Sequence, residues 1–166
     1  MKKKLAKKKP PSRKIKQEIR TSYLGSVYGP DFLRKIPMVV RKLKKLKGTL
    51  KFDAIAFTGN SGAGFGFPLS YLLKIPVINV RKKTRAHYNG AIEGTVSSKR
   101  YLIVDDFIAS GKTINRITTA IKKELGNRTK PVGIFLYDSD RIAKFEGLPV
   151  YTLPSPACRC GFCFAP

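Results

Sequence analysis

Asp105 and Asp106 stand side by side at the end of an apolar run, Tyr101-Leu102-Ile103-Val104, and Ala109-Ser110-Gly111-Lys112-Thr113 follows shortly after. Adjacent carboxylates at a strand tip can accept hydrogen bonds from vicinal hydroxyls such as those of a ribose. The stretch behind them supplies what a phosphomonoester needs. Ser110 and Thr113 carry hydroxyls, Gly111 lets the backbone come close, and a helix start offers free amides and the positive end of its dipole. Acids for a sugar diol beside amides for a terminal phosphate describe a ribose-5-phosphate site.

The closing Gly-Lys-Thr also ends a nucleotide-binding P-loop, but that loop needs a glycine five residues before Gly111, where this chain has Asp106. A carboxylate there is wrong for a triphosphate in both size and charge. Asp138, at the end of another apolar run, could pose as a magnesium-binding acid, but strand-end acids are too common to rescue the match.

These residues have to be positioned by a regular scaffold. Residues 52–59, 75–81, 99–106, 131–138 and 148–153 read as strands. Residues 112–125 read as a helix, with Ile114, Ile117, Ile121 and Leu125 spaced by three or four. A second helix is expected from about Pro68, and one or two more between residues 17 and 51 with a break at Gly29-Pro30-Asp31. The longest strands are nearly continuous apolar runs, so the sheet should be covered on both faces. The order of elements predicts an α/β fold, a parallel sheet flanked by helices. Ligands in such sheets sit at the carboxyl ends of the strands, which is where the unusual residues fall.

The chain has 166 residues, enough for one domain, and a formal net charge of +24. That charge implies an anionic partner without saying which. Nine Lys or Arg and no acid lie between residues 2 and 16. This segment has too little apolar material to fold alone, and lacks the apolar stretch of a secretory signal. It is either a nucleic-acid or nuclear-targeting arm or a solvated tail. Residues 41–51, "RKLKKLKGTLK", read as a surface helix with a wet basic face. No apolar run is long enough to span a membrane. Cys158, Cys160 and Cys163 fall in the last nine residues, an odd count that suits a reducing compartment and leaves a closed zinc site one ligand short. The expected division is a disordered basic tail at 1–16, one domain at 17–155 and a cysteine-containing tail at 156–166.

Residues 102–113, "LIVDDFIASGKT", resemble the phosphoribosyl pyrophosphate (PRPP) signature of type I phosphoribosyltransferases. The likeness runs from about residue 53 to 153 and is nearest to the orotate phosphoribosyltransferases. The resemblance implies transfer of a phosphoribosyl group from PRPP to a nucleobase, orotate or a purine, with release of pyrophosphate, in nucleotide biosynthesis or salvage. It assigns PRPP binding to Asp105, Asp106, Ala109, Ser110, Gly111, Lys112 and Thr113. "VRKKTRAHYNG" is similar to the family's mobile basic loop, which would make Arg81, Lys82, Arg85 and His87 contacts of the pyrophosphate, on a lid with Gly90 and Gly94. "TGNSGAG" occupies the place of the pyrophosphate loop, adding Asn60, Ser61, Gly62 and Ala63. "DSDRI" resembles an Asp-Arg pair that would put Arg141 near the base. The implied catalytic set is Asp105, Asp106, Lys82, Arg85 and His87.

The same resemblance implies Mg²⁺ held mainly by substrate oxygens and water, with no dedicated protein ligand, a homodimer, and a cytoplasmic location. The chain departs from the family at Ala63, where related loops carry Lys or Arg, and at Ala86, where an acid is usual. The orotate-recognition stretch is also missing near the N-terminus. The alternative is a phosphoribosyltransferase-fold regulator that binds PRPP or a nucleotide together with RNA or DNA.

Overall fold

The computed structural model describes residues 30–82, 90–138 and 142–153. Both expected tails lie outside these residues, as do Arg85, Ala86 and His87 of the basic loop and Arg141.

Ten elements follow in order: α1 (Pro30–Leu50), β1 (Ala54–Thr58), α2 (Gly59–Leu73), β2 (Val77–Val80), β3 (Ile92–Gly94), β4 (Arg100–Asp105), α3 (Lys112–Leu125), β5 (Lys130–Leu136), β6 (Lys144–Phe145) and β7 (Leu148–Thr152). They build a seven-stranded sheet in the order β3-β2-β1-β4-β5-β7-β6. The five central strands are parallel, and β3 and β6 pair antiparallel at the two edges. The sheet is therefore mixed, where the sequence led us to expect a parallel one. Both antiparallel strands are short additions, and β3 contains Glu93 and Gly94, residues with little strand preference.

Alternation along the strands divides the core. Ile55, Phe57, Leu102, Val104 and Phe135 face α1 and α2, meeting Val39, Leu43, Phe65 and Leu69. Ala54, Ala56, Ile103, Ile134 and Leu136 face α3, meeting Ile114, Ile117 and Ile121. Both faces are covered, as the apolar runs require.

One helix is longer than its composition suggests. Four glycines in the first half of α2 argue against a helix by propensity, so the sequence places its start near Pro68. The helix instead begins at Gly59, because closeness to the sheet outweighs propensity. A Cβ on Gly62 would lie 2.8 Å from Phe57 Cβ, and one on Gly66 would lie 2.2 Å from the Phe57 ring. Gly94 has a similar role. Its φ is +109°, and a Cβ there would meet the Val77 carbonyl oxygen at 2.1 Å. It packs β3 against β2, so its assignment as a lid glycine is withdrawn.

Asp53 fastens the start of β1 to the turn before β4. Its carboxylate accepts hydrogen bonds from Ser98 Oγ at 2.6 Å and from the Lys99 and Arg100 amides, each at 3.0 Å. Burial pushes the Asp53 carboxyl up, but these donors outweigh it and hold the group below its ordinary value. A carboxylate with a depressed folded pKa contributes stability above its unfolded value, and that contribution disappears as pH falls. Asp53→Ala is expected to cost about 1 kcal/mol at pH 7, at the low end for a charged hydrogen bond because the group is exposed. Paired urea melts should show the difference shrinking as pH drops below 3.8.

Candidate functional site

The chain leaves β1 in one direction, to β2 and β3, and leaves β4 in the other, to β5, β7 and β6. Between the carboxyl ends of β1 and β4 lies the switch point where ligands of open α/β sheets bind. A cavity of about 100 Å³ opens there, lined by Thr58 and Ser61 from the β1 side, by Lys82, and by residues 105–114.

Asp105 and Asp106 are 3% and 4% exposed, a depth at which a carboxylate is rare without compensation. Asp105 Oδ1 accepts a bond from Ser61 Oγ at 3.3 Å, and Asp106 Oδ1 accepts one from the Phe107 amide at 2.9 Å. Asp106 Oδ2 is buried and has no partner among the described residues. Burial, and next to it the negative charge of Asp106, push the Asp105 carboxyl up to about 7.

One half of the cavity is the turn into α3. Gly111, at the helix cap, has φ +72°, and no acid occupies the first turn of α3. The first helical amides are free of internal partners and point outward at the positive end of the dipole. Ala109, Ser110, Gly111, Lys112 and Thr113 all line the cavity, with Ser110 and Lys112 exposed.

A hairpin that the sequence reading missed supports this turn. Glu146 and Gly147, at φ +46° and +79°, link β6 to β7, the left-handed pair that a two-residue hairpin turn demands. The Phe145 ring lies against Gly111, so that a Cβ there would sit 2.2 Å from Phe145 Cζ. Glu146 Oε1 accepts a bond from Asn115 Nδ2 at 3.0 Å. A Glu-Gly pair between Phe145 and Leu148 was the available signal.

Opposite the phosphate turn is the start of α2, also without an acid in its first turn. Lys82 lies over it: a Cβ on Gly59 would be 2.5 Å from Lys82 Nζ. An ammonium and a second set of helix amides thus converge beside the aspartates. The segment 59–64 is helical where an open loop was expected, and it divides accordingly. Ser61 lines the cavity and is fixed through its carbonyl, which accepts a bond from Tyr137 Oη at 2.9 Å. Gly62 is buried under β1, Ala63 packs on the core and Asn60 is exposed, and none of these three contributes a side chain to the cavity wall. Arg81 turns to Glu93, with Nε 3.5 Å from Oε1, and is likewise absent from the wall. Asp138 is held by Lys35 in an ion pair, which occupies the acid that a P-loop would have needed for magnesium.

The described residues hold no group of three or more His, Cys, Asp or Glu able to cage a metal ion. The unpartnered Asp106 Oδ2 is an oxygen that a cation arriving with an anionic ligand could approach. Among the described residues no helix is long and apolar enough to cross a membrane.

Ionising Asp105 in this setting costs stability. Its folded pKa lies above the unfolded 3.8, so its favourable contribution is complete below 3.8 and is lost as pH rises toward 7. Asp105→Asn is therefore expected to stabilise the fold at pH 8 by at least about 1 kcal/mol, or roughly 2–4 °C in Tm, with the gain vanishing near pH 4. Thermal melts of the two proteins across pH check the sign.

No protein-family model matches the chain. Among curated proteins, it is 32% identical over 106 residues to an orotate phosphoribosyltransferase of Pyrobaculum islandicum, covering 62% of this chain and 53% of that one. It is 40% identical over 68 residues to the transcriptional regulator GfcR of Methanocorpusculum labreanum, covering 39% and 33%. The chain thus spans about half the length, or less, of these relatives. Among solved structures, the adenine phosphoribosyltransferase of Thermoanaerobacter pseudethanolicus superposes with a TM-score of 0.52 at 24% identity, covering 71% of this chain and 78% of the other. The orotate phosphoribosyltransferase of Mycobacterium tuberculosis in complex with PRPP gives 0.51 at 19%, covering 71% and 70%.

Proposed function

We propose that this chain is a member of the type I phosphoribosyltransferase family and transfers the phosphoribosyl group of PRPP to a ring nitrogen of a nucleobase. The observation that carries the reading is the convergence of two nearly buried aspartates, an amide-lined turn and Lys82 on one cavity.

In this reading the 5-phosphate sits on the turn at residues 109–113, and the ribose hydroxyls donate to Asp105 and Asp106. The pyrophosphate lies toward Lys82 and the first turn of α2. As the bond from C1 to pyrophosphate oxygen breaks, the sugar becomes cationic and the leaving group gains negative charge. The base nitrogen then forms the new bond to C1, and the proton it carried leaves to the released pyrophosphate or to water. Lys82 and the α2 amides stabilise that departing charge more than the ground state, and the aspartates face the developing positive charge. Arg85 and His87, beyond the described residues, belong to the same basic segment and would add to it. Mg²⁺ bound through PRPP would neutralise part of the pyrophosphate charge. Arg141 stays assigned to the base. Orotate and a purine both remain candidates, supported respectively by relatives and by a structural neighbour. A homodimer follows the family resemblance.

The test is pyrophosphate release from PRPP with Mg²⁺ against orotate, uracil, adenine, guanine and hypoxanthine. Turnover with one of them is expected. PRPP binding without turnover on any base would favour a regulator, the reading supported by the GfcR relative.

A further inference from the structure

Helix α1 has a basic face that the proposed chemistry does not use. Val39, Leu43 and Leu46 are buried, and Phe32 stacks edge-on against Phe65 at 5.0 Å, so the apolar side of the helix is committed to the core. On the solvent side Arg41, Lys42, Lys44, Lys45 and Lys47 are exposed, and Lys51 follows the helix end. None of these six is ion-paired among the described residues. Within the helix the spacing sets four like-charge pairs at i,i+3 or i,i+4: 41–44, 41–45, 42–45 and 44–47. Each such pair opposes the helix. A fold that keeps all of them is better matched to a charged surface with a counter-charge laid on it.

The basic face continues past the helix. Arg100 donates to the carbonyl of Leu50 through Nη2 at 2.8 Å and Nε at 3.2 Å, joining the end of α1 to the first residue of β4. Beside Arg100 lies Lys130, its partner in the β4–β5 register. Lys99, Arg100, Arg128 and Lys130 line one wide depression at this end of the sheet. Lys35, near the start of α1, is bonded to Asp138 beyond the carboxyl end of β5, so α1 runs from the catalytic end of the sheet to the opposite one. The result is one cationic band along α1 and across the strand N-termini. It ends five residues along β4 from Asp105, about 17 Å away.

We propose that this band binds the phosphate backbone of a nucleic-acid duplex. A line of closely set cations, interrupted only where Asp53 meets the Lys99 and Arg100 amides, matches a regular row of phosphates. The band contains no aromatic side chain on which bases could stack, which favours backbone contact over single-strand recognition. A lipid surface fits poorly, because an interfacial helix has to insert the apolar side that α1 has already buried. The band and the cavity lie at opposite ends of the sheet, so both can be occupied together.

The experiment is fluorescence anisotropy of labelled DNA and RNA duplexes of about 20 base pairs, titrated with the full chain over a range of salt. The comparison is with R41Q/K44Q/K45Q/K47Q and with K99Q/R128Q/K130Q, both retaining the basic N-terminal segment. Each set is expected to flatten the slope of log K against log salt by about 2–4, and to weaken binding at least about tenfold at low salt. Unchanged melting temperatures would show that the folds persist. Wild-type slope and affinity in both variants would overturn the proposal, since the N-terminal segment would then suffice. Tighter binding to phosphatidylserine vesicles than to either duplex would overturn it too. The readout does not depend on turnover, so it stands or falls separately from the transferase reading.

Discussion

Asp106→Asn is expected to lower kcat/KM for PRPP by about 10²–10⁴-fold while leaving the affinity for inorganic phosphate within roughly threefold. The reason lies in the two oxygens of this side chain. Oδ1 accepts the Phe107 amide bond, which an asparagine oxygen can keep, so the loop should survive the change. Oδ2 is buried with no partner among the described residues. An unpaired buried carboxylate oxygen costs about 1–3 kcal/mol or more, and a fold tolerates that where a ligand will satisfy the group. The asparagine NH₂ in its place would offer a donor to sugar hydroxyls that need an acceptor. It would also remove a negative charge beside a sugar that becomes cationic in the transition state. In the proposed reading phosphate binds elsewhere, on the turn at residues 109–113, and is spared. Steady-state pyrophosphate release together with phosphate titration separates the two effects. An unaltered rate would remove the aspartates from the mechanism.

Gly111→Ala should produce the complementary pattern. At φ +72° an alanine is strained by about 1–2 kcal/mol, and its Cβ would sit 2.2 Å from Phe145 Cζ. Either the turn or the β6–β7 hairpin has to move, and the amides that meet the phosphate move with it. Affinity for PRPP, ribose-5-phosphate and inorganic phosphate is expected to fall together by about 10–100-fold, with Tm lowered by several degrees. Phe145→Ala in the same chain relieves the clash but not the backbone strain, so it should recover part of the loss. Full phosphate affinity in Gly111→Ala would mean that the anion does not bind at this turn.

The chemistry of the site was legible because it is local. One strand tip and the helix after it hold both aspartates and the whole turn that lines the cavity within residues 105–113, and the bounds of α3 follow from its isoleucine spacing. The helix covering 59–64 was harder to read because its glycines report contact with Phe57, a partner invisible to propensity. The two short antiparallel strands escaped for a related reason. β3 and β6 are defined by the neighbours they pair with, β2 and β7, and carry no periodic pattern of their own. The cationic band is the clearest case. The sequence shows a basic helix and scattered lysines, and only the Arg100–Leu50 contact and the β4–β5 register make them one surface. Ala63 illustrates a limit of resemblance. Ala63 packs on the core, and the cation beside the start of α2 is Lys82 instead.

Isothermal titration calorimetry of the full chain with PRPP in the presence of Mg²⁺ tests the central claim most directly. The account predicts saturable uptake of one PRPP per chain, competed by ribose-5-phosphate and weakened by Gly111→Ala. Well-folded protein that takes up neither PRPP nor any mononucleotide would contradict it.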